Sequence, residues 1–273
     1  MDFIRLESSL FYIALVLYLV STIMYFIFFV NKKERAGEVG SFLVRIGLIL
    51  HTLALIFRTI GANRLPLSNQ YEFATSFAWA IALLFVFFEK KLNFRALGTF
   101  VTPIVFIIIG YAALQNKNVR PLMPALQSYW LVIHVMLAIF SYGSFAVSAG
   151  ISVMYLLKDR FANDDFINKH VPSSEKLDVF SYRCIAIGFL LLTLVIITGA
   201  IWAEVSWGRY WKWDPKETWS LVTWIIYAVY LHVRLSKGWR GKSAAIFSTV
   251  GFISVLFTYV GVNTFLPGLH SYK

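Results

Sequence analysis

The sequence predicts an all-α integral membrane protein, a bundle of about eight transmembrane helices with both termini on the outer side. Three observations predict it. Hydrophobic residues make up 59% of the 273 and charged residues only 14%, against roughly 25% charged in soluble domains. Mean hydropathy is +0.69. Apolar runs of about 18 or more residues recur, the length that crosses a bilayer core as a helix. They lack the alternation of barrel strands, and a helix satisfies its own backbone polar groups within lipid.

Taken in order, the predicted spans are 9–30, 41–60, 73–89, 97–114, 129–157, 182–203, 218–235 and 244–262. The first follows no strongly basic segment and precedes no small-residue cleavage site, so it reads as a retained span. The fifth is long enough to tilt or to project from the bilayer. Alternate connections then fall on two sides. Those near 31–40, 90–96, 158–180 and 234–243 carry fourteen Lys and Arg; the other side carries eight. The excess marks the first side as cytoplasmic. Chain 1–273 thus reads as a single polytopic membrane domain, with a cytoplasmic loop at 158–181 and an external loop at 204–218. The net charge of +11 follows mostly from this bias and calls for lipid, not nucleic acid, as the surroundings. The one cysteine, Cys184, falls inside a span and cannot form an internal disulfide relay.

The external loop reads "WGRYWKWDPKETW". Four tryptophans (207, 211, 213, 219) stand among Arg209, Lys212, Asp214, Lys216 and Glu217. An aromatic belt at the membrane interface accounts for single tryptophans. The density here, with three cations, points instead to a platform for a large flat ligand that bears carboxylates. Helical spacing would place Trp207, Tyr210 and Trp211 on one face. "DPKE" supplies an N-cap acid, a proline at the first helical position and a reciprocal carboxylate at the third, so it starts the seventh span.

Four of the five histidines fall at informative depths. His134, near the start of the fifth span, lies about 8 Å below the outer surface. His270 follows the eighth span in the tail "NTFLPGLHSYK". Both share the level of the tryptophan loop, which suits axial imidazoles on a haem iron. His232 lies roughly 21 Å into the seventh span and His51 near mid-membrane in the second. Either is an interhelical hydrogen-bonding residue or part of a deeper ligand pair. His170 sits in the cytoplasmic loop among charges and reads as solvated. The absence of a Cys ligand, a His-x-x-x-His pair or a carboxylate cluster beside the outer histidines argues against zinc or copper.

"WGRYWKWDPKETWSLVTW" resembles the tryptophan-rich WWD signature of the haem-handling proteins of cytochrome c biogenesis. The resemblance is to the CcsA/ResC family of the system II synthetase. It extends through "IHVMLAIFSYGSF", "YAVYLHVR", "NTFLPGLHSY" and "LPLSNQYEF". CcmC and CcmF of system I share the WWD idea, but the eight-span layout and "GLHSY" fit CcsA better. The resemblance implies that Trp207, Gly208, Trp211, Trp213, Asp214, Glu217 and Trp219 form the haem platform. It implies that His134 and His270 are external axial ligands of haem b, and that His232 belongs to an intramembrane haem site. His51 is a less secure candidate for that inner site. It further implies a CcsB/ResB-like membrane partner, whose half is not seen in this chain, and apocytochrome c with its Cys-x-x-Cys-His thiols as the acceptor. Haem would be delivered across or from the membrane and presented outside for thioether attachment. The expected membrane is the bacterial plasma (inner) membrane, with the thylakoid as the alternative. The rival functions are a haem exporter without ligation activity and a b-type electron-transfer protein.

Overall fold

Why two neighbouring helices pair can be read from their buried positions. On α1 (Phe3–Asn31) these include Phe11, Ala14, Tyr18, Ser21, Tyr25 and Phe28, steps of three and four residues that form one stripe. On α2 (Glu34–Ala62), Gly37, Gly40, Val44, Gly47, His51, Ala54 and Arg58 repeat the same steps. The glycines let the rings of α1 approach the α2 backbone: a methyl at Gly40 would fall 3.1 Å from the Tyr25 ring and one at Gly47 3.0 Å from Tyr18.

The computed structural model describes residues 2–92, 94–266 and 268. The described residues are almost entirely helical, without strands among them. They form two compact units, residues 1–119 with 160–173, and residues 120–159 with 174–273. The first unit contains α1, α2, α3 (Gln70–Leu92), α4 (Gly98–Ala113) and the short α6 (Asp165–His170). The second contains α5 (Tyr129–Arg160) up to Asp159, α7 (Ser174–Trp207), α8 (Pro215–Lys237), α9 (Lys242–Leu256), a π-helical turn at Phe257–Gly261 and α10 (Val262–Phe265). On α5 every residue from Ser141 to Ser152 is buried, as expected of a helix covered on all its faces.

Among the described residues, seven helices are long and apolar enough to cross a membrane. The remaining predicted span is α8, which has the length, 23 residues, but carries Lys216, Glu217, Thr218, Ser220, Thr223, His232 and Arg234. The loops are shorter than the sequence suggests, because α7 extends to Trp207 and α8 begins at Pro215.

The polar residues of the first unit are clustered. Glu89 of α3 accepts hydrogen bonds from Tyr25 (2.5 Å), Ser41 (2.7 Å) and Arg45 (3.1 Å). Toward the other end, Glu72 accepts from Arg58, Arg64 and both the amide and hydroxyl of Ser68. Glu7 accepts from Tyr71. His170 is not solvated. Only 15% of its side chain is accessible, its Nε2 lies 3.1 Å from Glu34, and its ring packs on Phe166 at 4.4 Å. The apolar Phe28 and Phe166 of the unit enclose it.

Candidate functional site

The tryptophan loop is tied down by its two acids. Asp214 caps α8, accepting from Lys216 N at 3.0 Å, while Glu217 Oε2 accepts from the amides of Asp214 (3.1 Å) and Lys212 (2.8 Å). The capping box read from "DPKE" is complete. Glu217 goes further than a cap. By gathering the amides of two loop residues, it fixes the path of the segment that bears Trp211 and Trp213.

The helical face predicted for Trp207, Tyr210 and Trp211 does not form. α7 ends at Trp207 because Gly208 takes φ +71° and its amide closes on Glu204 O at 2.8 Å. Residues 208–214 then run without regular structure. Trp207 therefore stays with α7, and its ring meets Trp202 edge-on at 4.8 Å. Trp211 and Trp213 meet edge-on at 5.7 Å. The Trp211 Nε1 is buried and has no hydrogen-bond partner among the described residues. Trp213 is 68% exposed, and its φ of +57° is a conformation that costs a bulky residue about 1–2 kcal/mol. Trp219 packs on Phe257 of the π-turn at 4.2 Å.

His134 sits on α5 against α7. Its Nδ1 lies 2.9 Å from the Val195 carbonyl. A carbonyl only accepts, so Nδ1 carries the proton and Nε2 carries the lone pair of the neutral ring. The imidazole lies nearly parallel to Trp202, with 21° between planes and 6.1 Å between centroids. Trp202 is itself anchored through Nε1 to Ala125 O at 2.8 Å. His134, Trp202 and Trp207 thus form a continuous series of rings leading to the start of the loop. Trp202 and Phe257 were not singled out from the sequence. Trp202 lies five residues before Trp207, a spacing that does not mark a shared helix face.

The other histidines are placed differently. His51 is fully buried in the first unit, with Nδ1 3.3 Å from the Tyr18 hydroxyl and Nε2 unpartnered. His232 is exposed on α8 of the second unit, on the stripe that also exposes Ile225 and Val229. His270 lies outside the described residues. Gly268 is described, and a methyl there would fall 2.5 Å from Asp214 Oδ2, so the chain passes directly beside the α8 cap. Near that cap, burial pushes the Lys216 ammonium down to about 8, with Asp214 opposing the shift.

Strain at Trp213 gives a test of why a tryptophan is kept there. Trp213→Gly is expected to raise loop stability by about 1 kcal/mol relative to Trp213→Ala, because only Gly tolerates the positive φ. Both variants lose the exposed ring. Thermal unfolding in detergent measures the difference; equal midpoints would mean that the loop carries no strain.

The Cytochrome C assembly protein family matches residues 67–270, and the chain belongs to that family. Its relatives include proteins described as cytochrome c biogenesis protein CcsA. The one from Guillardia theta is 37% identical, over 93% of this chain and 92% of its own. That of Chlamydomonas reinhardtii is 38% identical, over 89% and 70%, and that of Synechococcus sp. (strain CC9605) 36%, over 89% of each. Among solved structures, Cytochrome c Heme Lyase CcmF shares the fold with a TM-score of 0.74 at 15% identity, over 95% of this chain. The chain spans about half of that protein, 47% of its length.

Proposed function

We propose that this protein is the haem-binding membrane subunit of a system II cytochrome c synthetase, holding haem b beside the tryptophan loop for attachment to apocytochrome c. The observation that carries the reading is His134. Its Nδ1 proton is committed to Val195 O, the arrangement in which an imidazole presents Nε2 to a metal, and a second partner of this kind both orients the ring and raises its basicity. The residues of the tryptophan loop suit a porphyrin. The indole of Trp213 is held outward at a cost in backbone energy, Trp211 keeps an unused N–H donor, and Arg209, Lys212 and Lys216 supply cations for carboxylates.

In this reading His134 and His270 are the axial ligands. Gly268 lies beside Asp214 of the α8 cap and precedes His270 by two residues in the sequence. Asp214 and Glu217 hold the loop, so that Trp207, Gly208, Trp211, Trp213 and Trp219 keep one arrangement before the ligand arrives, which lowers the cost of ordering on binding. The bound haem would supply the vinyl groups that become thioethers; the protein supplies orientation and an open edge for the incoming Cys-x-x-Cys-His segment. His232, exposed on α8, is assigned to an inner haem site completed by a CcsB/ResB-like partner. We leave His51 out of both sites, since its ring is enclosed among helices.

Co-expression in a host without its own maturation system tests this. Covalent haem staining of cytochrome c should appear only when this chain and a CcsB-like partner are both present. His232→Ala should lower co-purified haem while leaving the fold intact by circular dichroism. Staining without this chain, or haem content unaffected by His232→Ala, would remove the respective parts of the assignment.

A further inference from the structure

The interior of the second unit contains hydroxyl groups in an order that helix packing alone does not require. Near one end, Arg234 donates to both oxygens of Asp178 (3.0 and 2.5 Å), and the Gly241 amide also donates to that carboxylate at 2.9 Å. A narrow crevice beside this pair is lined by Ser152, Tyr155, Asp178, Ser181 and Tyr230. From it a hydrogen-bonded series leads inward: Ser152 Oγ to Ser181 Oγ at 2.9 Å, Ser181 Oγ to Ser148 Oγ at 2.9 Å, and Ser148 Oγ to Ser248 Oγ at 3.0 Å.

A second series lies toward the tryptophan loop. Thr223 Oγ1 and Thr258 Oγ1 are 3.0 Å apart, and Thr258 Oγ1 also reaches the Trp219 carbonyl at 3.2 Å. Thr258 belongs to the π-helical turn, a local departure from α-helix that is frequent at functional positions. Tyr227 stands between the two series. It is one turn of α8 from Thr223, and a methyl at Gly251, three residues beyond Ser248, would lie 3.2 Å from its hydroxyl. The ring is locked by stacking on Phe145, with centroids 3.8 Å apart and planes within 5°. Its hydroxyl is buried and has no partner among the described residues.

We propose that these groups form a proton path through the second unit, from the Asp178–Arg234 crevice to the Thr258 hydroxyl beneath the tryptophan loop, with Tyr227 as its central station. Each hydroxyl both donates and accepts, so a proton arriving at one oxygen releases another from its far side, and no electron moves. Intramembrane polar groups are glue when paired across helices. Tyr227 is not paired, and a phenylalanine would make the same stack without leaving a donor unsatisfied. A hydroxyl kept there at a penalty is explained by a transient partner such as a passing water. The proposal does not depend on haem binding.

The purified full-length chain, reconstituted in liposomes loaded with a pH-sensitive dye and driven by a potassium diffusion potential, tests it. Wild-type protein should admit protons at least about tenfold faster than protein-free liposomes. Tyr227→Phe should return the rate to within about twofold of protein-free liposomes, with a thermal midpoint equal to or above that of wild type. Ser181→Ala, which breaks the first series, should do the same. The proposal is overturned if wild type conducts no faster than bare liposomes, or if Tyr227→Phe conducts as wild type does. Because no haem is needed for the flux, this result is separable from the synthetase assignment.

Discussion

His134→Ala should abolish the low-spin haem absorbance of the purified protein and lower cytochrome c maturation at least about tenfold, the loss expected when a metal loses a protein ligand. The geometry gives a sharper companion experiment. At Gly199, on the facing helix, a methyl would stand 2.7 Å from His134 Cε1 and 2.8 Å from Nδ1. Both atoms belong to a ring fixed by Val195 O and flanked by Trp202. Gly199→Ala therefore leaves the imidazole in place chemically but displaces it and breaks the Val195 bond. Its effect should fall in the range of lost ligand-orienting contacts, about 10–100-fold in haem retention. Added imidazole should restore the absorbance of His134→Ala more than that of Gly199→Ala, because only the first leaves room. If His134→Ala retains the wild-type spectrum, the axial assignment is wrong whatever the fate of the other ligand.

Hydropathy made the long helices legible, because lipid leaves the backbone no alternative and the apolar runs announce themselves. The start of α8 was equally readable: capping is local chemistry, and Asp214, Pro215 and Glu217 lie within four residues. What failed was register across a break. Trp207, Tyr210 and Trp211 share a face only if the helix continues, and Gly208, whose positive φ ends α7, stood among them. Trp202 and Phe257 were invisible as site residues for a different reason. Each acts by packing against a partner distant in sequence, and in a chain with 25 Phe and 9 Trp one more ring carries no mark. The histidines show the same limit. Depth along a helix was computable from the sequence, but which side of the helix each ring faces was not. His51 turned out enclosed and His232 exposed, although the sequence predicts both within spans.

The family match begins at residue 67, so α1 and α2 precede it, yet those helices contribute to a buried charge cluster with α3 that residues within the match complete. Arg58 of α2 is 1% exposed. It donates to Glu72 through Nε (3.1 Å) and Nη2 (2.9 Å) and to Lys117 O through Nη1 (2.8 Å). It also lies 3.9 Å from Glu7 and stands over the Tyr71 ring at 5.2 Å. Two carboxylates, Glu7 and Glu72, face two guanidiniums, Arg58 and Arg64, so the formal charges balance.

Removing one member of a balanced buried cluster costs about 3–5 kcal/mol, since it leaves an uncompensated charge in a low-dielectric interior. Arg58→Ala should reach that range, because it also frees a carbonyl and opens space beside Tyr71. Thermal unfolding of the detergent-purified protein, or its resistance to proteolysis, measures the loss. Arg64→Ala should cost less: Arg64 is partly exposed, at 13%, and water can replace it at Glu72. The ordering distinguishes this account from one in which α1 and α2 are held by apolar packing alone. In that case Arg58→Met, which keeps much of the side-chain volume, would be nearly neutral; the charge argument instead makes it almost as damaging as alanine. A near-neutral Arg58→Met would mean that the glycine-lined seam of α1 and α2, not the ion cluster, sets the stability of the first unit.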